Sequence, residues 1–380
     1  MMIAESRHPS QLTTEDAAAW RALCAAHPAF ASPLMGPDFA RAVGEVRDDA
    51  RVAIWRREGR PVGFLPHHRR PGGFARPIGA PFSDYHALVS AERLDAGEAL
   101  AAAGLSAFRF TGLVDPFGGF AAGVAGRKQG FVIALTGSAE DYLETLRAQS
   151  PKRFKNYRRL TSKLEREIGE IAVAAPDVSQ DAFDQLIAWK RAQLKRTGMH
   201  DFLGPAWTRA LMDNLFARRQ GELQGLMVCL YAGGRLLSGQ FGVRQGEVFH
   251  PWIASTDPDM GAWSPGQLFL LQAIAAMPGA GLSVYDLASG HEHYKRPYAL
   301  QTREIAEGQV AAANGAGRAA RVSAAAWAMA GANREGATAS LRRRLDIIAT
   351  AELSLAGRAR GLATAIASKA RRAPSEPEAA

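Results

Sequence analysis

VFHPWIAS (248–255), DPDMGAWSPGQLFLLQAI (257–274) and VYDLASGHEHYKRPY (284–298) read in succession as strand, loop, helix, strand and polar loop. Ser264, Pro265 and Gly266 stand just before the apolar run Leu268, Phe269, Leu271, Ile274. That order predicts a helix with Ser264 as N-cap and Pro265 as first helical residue, because proline tolerates a position whose amide has no intrahelical acceptor. The free amides of such a helix start form an anion site. The strand from Leu282 to Leu287 is expected beside the one at Val248, gathering Asp286, His291, His293, Tyr294 and Lys295 near the helix start. Such a gathering has the composition of an active site.

Outward from this stretch, three strands are expected at Leu223 to Tyr231, Leu236 to Arg244 and Val248 to Ala254. The joints AGG (232–234) and QGE (245–247) are short enough to demand antiparallel hairpins. Helical periodicity precedes them at Leu143 to Ile168, Ala182 to Arg196 and Trp207 to Arg219. In the first half RVAIWRREGRPVGFLPHHRR (51–70) predicts two strands around a turn at Glu58 to Arg60. Further strands are expected at Tyr85 to Val89, Ala107 to Phe110 and Phe131 to Leu135. The glycine-rich DPFGGFAAGVAGRKQG (115–130) reads as a connection.

Length, composition and charge narrow the class. The chain has 380 residues, 47% of them apolar, which suggests two packed domains with an appendage. No run reaches the roughly 18 apolar residues of a membrane span, and the polar N-terminus has no secretory pattern. Cys24 and Cys229, far apart, form neither a disulfide framework nor a zinc pattern, so a reduced cytoplasmic setting without metal is expected. Of the net +9, much is local. From Arg147 to Arg166 eight cations accompany Glu165 alone. On a helix Lys152, Lys155, Arg159, Lys163 and Arg166 share one face, while Tyr157, Leu160, Leu164 and Ile168 share another. The basic face reads either as a solvated surface or as a seat for an anion or a membrane. From Asn314 onward the chain turns alanine- and arginine-rich, with eleven cations against five acids. An amphipathic helix is expected around Leu341, Leu345, Ile348 and Leu355, beside Arg342 to Arg344, before a disordered APSEPEAA tail.

SPKRFKNYRRLTSKLE (150–165), WKRAQLKRTGMHDF (189–202), LLSGQFGVRQGEVFHPW (236–252), WSPGQLFLLQAI (263–274) and YDLASGHEHYKRPY (285–298) together resemble the CelD-type acetyltransferases. That branch of the GNAT superfamily is associated with bacterial exopolysaccharide synthesis, and it is similar to the Fem-type aminoacyltransferases, which pair two GNAT-like domains. The resemblance implies an α+β fold of tandem GNAT-like acyltransferase domains, here 1–138 and 139–312, with a basic helical appendage at 313–380. It implies acetyl transfer from acetyl-CoA to a hydroxyl or amino group of a polysaccharide or lipid-linked sugar. A Fem-like aminoacyl transfer, and a silent module that binds a regulator such as cyclic di-GMP through the appendage arginines, stand as alternatives. Contact with the inner membrane or a synthesis complex is a further expectation; DNA is not an expected partner.

Acyl transfer needs a base, oxyanion donors and an acid for the leaving thiolate. Asp286, closing an apolar strand, reads as base or as brace of the following loop. His250 reads as a second base or as a packed residue, and Tyr294 as the acid. Ser264, Gly266, Gln267 and Lys295 are the expected donor-phosphate contacts, with Pro265 removing one amide from the set. Lys152, Arg153, Asn156, Arg159, His200, Trp252 and His293 are the expected acceptor contacts. His291 and His293 around Glu292 lack a third ligand, and no metal is expected.

Overall fold

A computed structural model describes residues 2–290, 292–332 and 336–370. His291 and the APSEPEAA tail lie outside the described residues. The first half runs β1 (Met2–Arg7), α1 (Thr14–Ala26), α2 (Pro37–Gly44), β2 (Ala50–Arg57), β3 (Arg60–Arg69), β4 (Phe74–Pro77), β5 (Val89–Ser90), α3 (Ala96–Ala102), β6 (Ala107–Leu113) and β7 (Val124–Ala134). The second continues with α4 (Ala139–Gln149), α5 (Pro151–Glu167), β8 (Ile171–Ala174), α6 (Gln180–Arg196), α7 (Ala206–Ala217), β9 (Leu223–Ala232), β10 (Arg235–Gln245) and β11 (Val248–Thr256). After it come α8 (Pro265–Ala276), β12 (Val284–Ser289), the one-turn α9 (Glu292–Lys295) and β13 (Gln301–Ala311). The appendage holds α10 (Gly315–Met329), α11 (Ala337–Ala351) and α12 (Leu355–Ala370).

One thirteen-stranded sheet carries both halves, in the order β1-β2-β3-β4-β6-β13-β7-β12-β11-β10-β9-β8, with β5 paired to β3. Each half repeats one plan: an antiparallel meander, then a parallel pair bridged by a helix. In the first half β4 and β6 are the parallel pair, bridged through α3; in the second, β11 and β12 are bridged by α8. At the centre the halves interlock, because β13 inserts antiparallel between β6 and β7. A shared core fastens them further: Trp20, Phe39 and Phe64 belong to one apolar cluster with Phe183, Leu211 and Phe241.

The periodicity over 143–168 resolves into two helices, broken at Ser150 before Pro151, where proline disfavours a helical predecessor. On α5 the buried residues are Phe154, Tyr157, Leu160 and Leu164, leaving the cations outward. The segment 85–89 is mostly loop, with a single bridge from His86 to Leu113. The glycine-rich run extends β7 back to Val124, so its second part is strand rather than connection. The appendage folds back on the protein. The last carbonyls of α11, which lack partners within a helix, accept from Arg47 (Thr350 O, 3.5 Å), Arg70 (Ala349 O, 3.1 Å) and Trp207 (Ala351 O, 2.8 Å).

Candidate active site

β11 and β12 stay together for two residues only, Val248 with Val284 and Phe249 with Tyr285. The rings of Phe249 and Tyr285 meet edge to face at 4.8 Å on the side buried by α8. Beyond them the strands part, and among the described residues no strand pairs with the edge of β11 that this opens. The first residue on each prong of this fork is therefore His250 or Asp286, both turned to the opposite face by strand alternation.

Two consecutive residues of the first half close on that fork. Asp84 Oδ2 lies 3.0 Å from His250 Nε2, and the Tyr85 hydroxyl donates to Asp286 Oδ1 at 2.7 Å. Their loop is pressed against the sheet where glycine alone leaves room. A Cβ at Gly112 would stand 1.8 Å from the Asp84 carbonyl oxygen, and one at Gly130 would stand 2.2 Å from the Tyr85 hydroxyl. Thus the glycine of β7 that weakens its reading as a strand is the one that admits Tyr85 to the site.

Exposure separates the roles open to these groups. His250 is fully buried, with Nδ1 unpartnered among the described residues, and Asp286 is 1% exposed. The Asp84 side chain is 40% exposed and lines a cavity of about 290 Å³ together with Ser83 and Ser289. Asp286 Oδ1 also accepts from the Ala288 amide at 3.0 Å, while Oδ2 has no hydrogen bond among the described residues and lies 3.8 Å from Arg303 Nε. Arg303 covers the Tyr85 ring from 5.1 Å and donates to the carbonyls of Ala29 and Ala31. Burial, then the Asp286 carboxylate, pushes the Tyr85 phenol well above its ordinary range.

The end of β12 is tightly held. Ala288 adopts a left-handed conformation (φ 57°) at a break in the β7 register, a strained state for a residue with a Cβ. Lys295 stabilises it by donating to the carbonyls of Leu287 and Ser289. Burial lowers the Lys295 ammonium from its ordinary value, opposed by the charges of Asp84 and Asp286. Lys295 is thus a brace of the fork with two carboxylates nearby.

The start of α8 differs from the expected cap. Ser264 occupies the N-cap position with a left-handed backbone (φ 49°, ψ 50°), and its side chain makes no capping bond. The preceding 3-10 turn (258–263) ends at Ser264, whose amide closes it on Gly261 O and whose left-handed backbone departs from the extended one a capping serine uses. Gln267 N–H returns to Ser264 O at 2.9 Å, and the first turn holds no acidic residue. Two tyrosines fix that turn from below: Tyr294 donates to Gly266 O (2.8 Å) and Tyr298 to Gln267 O (3.0 Å). Burial raises the Tyr294 phenol, so the resting hydroxyl is protonated. Tyr157 on α5 meets the Tyr298 hydroxyl at 2.7 Å, and Lys163 sits 5.1 Å above the Trp263 ring, so α5 flanks the α8 start.

The other expected contacts scatter. Lys152, Arg153, Asn156 and Arg159 are exposed on α5, where Asn156 bonds Arg159 at 3.0 Å. His200 faces the appendage, 3.2 Å from Glu352. Trp252 packs on Phe82 and Phe39, and His293 is exposed on α9. Asp84 and Tyr85, absent from the expected set, are what the fold brings to His250 and Asp286. Their one sequence signal is SDYH (83–86), a polar and aromatic run amid a glycine- and proline-rich loop. Among the described residues no group of three or more His, Cys, Asp or Glu could hold a metal ion, and no helix is long and apolar enough to cross a membrane.

A meander and a forked parallel pair bridged by a helix, built twice in one chain, define a tandem GNAT-like architecture, and the second bridging helix keeps an uncapped start. Residues 151–296 match the family of the Acetyltransferase (GNAT) domain. Among curated proteins no sequence matches the chain. FemX is similar in structure at 11% identity, with a TM-score of 0.51 over 80% of this chain and 96% of that one. A tandem GNAT protein from the clavulanic acid biosynthesis pathway is similar at 11% identity (TM-score 0.45, 83% of this chain, 100% of that one). The C-terminal domain of a putative lysylphosphatidylglycerol synthetase from Agrobacterium fabrum is similar at 15% (TM-score 0.43, 82% and 95%). At these identities the FemX likeness carries the fold and nothing further.

Proposed function

We propose that the protein transfers an acetyl group from acetyl-CoA to a hydroxyl or amino group of an exopolysaccharide or its lipid-linked precursor. The observation that carries this reading is the fork: a cavity-facing carboxylate, Asp84, backed by the buried His250 where β11 leaves β12. An extended donor with amide groups finds an unpaired strand edge along β11, and its phosphates find the start of α8, where no acid competes. Asp84 takes the proton of the acceptor as its oxygen or nitrogen bonds to the thioester carbon. His250 positions that carboxylate, and Asp286 positions its neighbour Tyr85. As the carbon–sulfur bond breaks, Tyr294 gives its proton to the thiolate.

Titration calorimetry with acetyl-CoA and a transfer assay test this together. Wild-type protein is expected to bind acetyl-CoA, and Asp84→Asn to bind it equally while losing about 10²-fold or more in transfer. Asp286→Asn is expected to abolish or sharply reduce transfer with the fold intact, through Tyr85. Full transfer by Asp84→Asn with loss in Asp286→Asn would move the base to Asp286; no acetyl-CoA binding would remove the donor.

Aminoacyl transfer of the Fem type is the second reading. It is favoured by the outward cations of α5, including Lys152, Arg153, Lys155, Arg158 and Arg159, a surface suited to a polyanionic donor. Charging the same assay with aminoacyl-tRNA separates the two. The same face is the part of the molecule that a peripheral membrane contact would use. For cyclic di-GMP the appendage gives less support, since Arg344 donates to Gly198 O and Arg342 lies 5.9 Å from the Trp327 ring.

A further inference from the structure

The cavity that reaches Asp84 at one end runs under the appendage at the other, between β4 and β6 and beneath α11. Among the described residues five cations line it, Arg76, Arg109 and Lys128 from the sheet with Arg342 and Arg343 from α11, together with three carboxylates. Asp346 of α11 is shared by Arg76 (3.1 Å) and Arg109, Glu307 is taken by Lys128, and Asp84 by His250. These three acids are thus all engaged. Arg109 Nε is buried with no hydrogen-bond partner, and Arg343 is exposed with no partner among the described residues. Burial pulls the Arg109 guanidinium down to about 10, with Asp346 opposing and the charges of Arg76 and Arg342 adding to the fall. Uncompensated donors and like charges in a confined space are relieved by an anion with several oxygens.

We propose that this α11-roofed cleft is the acceptor subsite and that the acceptor is a phosphorylated sugar, its phosphate held by Arg109 and Arg343 and its nucleophile presented to Asp84. The proposal rests on the acyl-transfer reading for the direction of the nucleophile, while the anion site stands on the cleft alone. It also gives the appendage a function, because two of the five cations exist in the cleft only when α11 is docked.

The test is titration of the full chain with glucose 1-phosphate, with and without saturating acetyl-CoA. Wild type is expected to bind it in both conditions, and Arg343→Gln to weaken it about fivefold or more, while acetyl-CoA affinity stays unchanged. Lys128→Gln, on a strand rather than the appendage, is expected to weaken the probe as well. Unchanged affinity in both variants would overturn the proposal. So would displacement of the probe by acetyl-CoA, which would put the phosphate at α8, or equal binding of unphosphorylated glucose. Probe binding without acetyl-CoA binding would keep the anion site and sink the donor instead.

Discussion

The two halves use the same plan and differ at the points where a donor would bind. In the first, the bridging helix α3 starts with its amides already occupied: Asp95 Oδ1 accepts from Glu98 N at 3.0 Å, and Glu98 adds a second carboxylate to the first turn. Those charges are well placed for the helix dipole and hostile to a phosphate. In the second, α8 begins with a serine that makes no cap, a proline and a glycine, with no acid in the turn. The parallel pair of the first half opens beneath α11, whereas that of the second opens beside the unpaired edge of β11. Duplication therefore leaves one donor-like fork and one covered cleft, and the SDYH loop of the first half joins them.

The halves should also come apart differently in acid. His67, His68 and His86 all lie in the first half and are fully buried, and burial lowers each to about 4. Geometry agrees: Gly79 N–H donates to His68 Nε2 at 2.9 Å, and the amides of Thr111 and Gly112 approach His86 Nε2 at 3.3 Å, so neither nitrogen is free to take a proton. Above pH 6.5 these imidazoles are neutral folded and unfolded. Between pH 6.5 and 4 the unfolded chain binds protons that the folded one refuses, so stability falls as pH falls. From pH 7 to 5 the loss is expected to be on the order of a few kcal/mol, because each tenfold difference in proton affinity between the two states is worth about 1.4 kcal/mol. Urea unfolding at the two pH values measures it, and amide exchange should show the first half opening first; equal protection in both halves would break the contrast.

A smaller effect is expected from releasing the cover. Trp207→Phe removes the donor to Ala351 O and leaves a buried carbonyl without its partner, costing about 1–3 kcal/mol of α11 docking. The ring, 4.5 Å from the Arg47 guanidinium, retains most of its packing in the variant. Faster proteolysis within 337–370, with an unchanged acetyl-CoA titration, is the expected signature. If donor binding fell as well, the two clefts would not be independent.

Much of the second half was legible because its signals are local. Hairpin joints that come to two residues each, Gly233–Gly234 and Gly246–Glu247, Pro265 at a helix start and the spacing of Tyr157, Leu160 and Leu164 act within a few residues of themselves. Asp84 and Tyr85 were not legible, since their partners His250 and Asp286 lie 166 and 201 residues away. Gly130 misled for the same reason: a glycine reads locally as a break, and here it answers to a tyrosine hydroxyl from another element. Ser264 misled through its backbone, because the serine signal assumes an extended cap and the preceding turn imposes a left-handed one. The interleaving of β13 between β6 and β7 has no trace in composition, as either neighbour satisfies its alternation equally.

The finest test of the contrast between the halves exchanges single charges without changing shape. Gln267 is exposed in the first turn of α8, so Gln267→Glu places there the carboxylate that Glu98 supplies to α3. Its backbone bonds to Ser264 and Tyr298 need no side-chain amide and should persist. Near an anion site one added charge at partial exposure is worth about 0.3–1 kcal/mol, so acetyl-CoA affinity is expected to fall about two- to fivefold. The loss should shrink as salt is raised, since exposed charges are screened. Glu98→Gln in α3 should leave acetyl-CoA binding where it was, because Asp95 still fills that helix start. An equal response to both substitutions would mean that the donor touches both helices, and the division of labour between the halves would fail at its base.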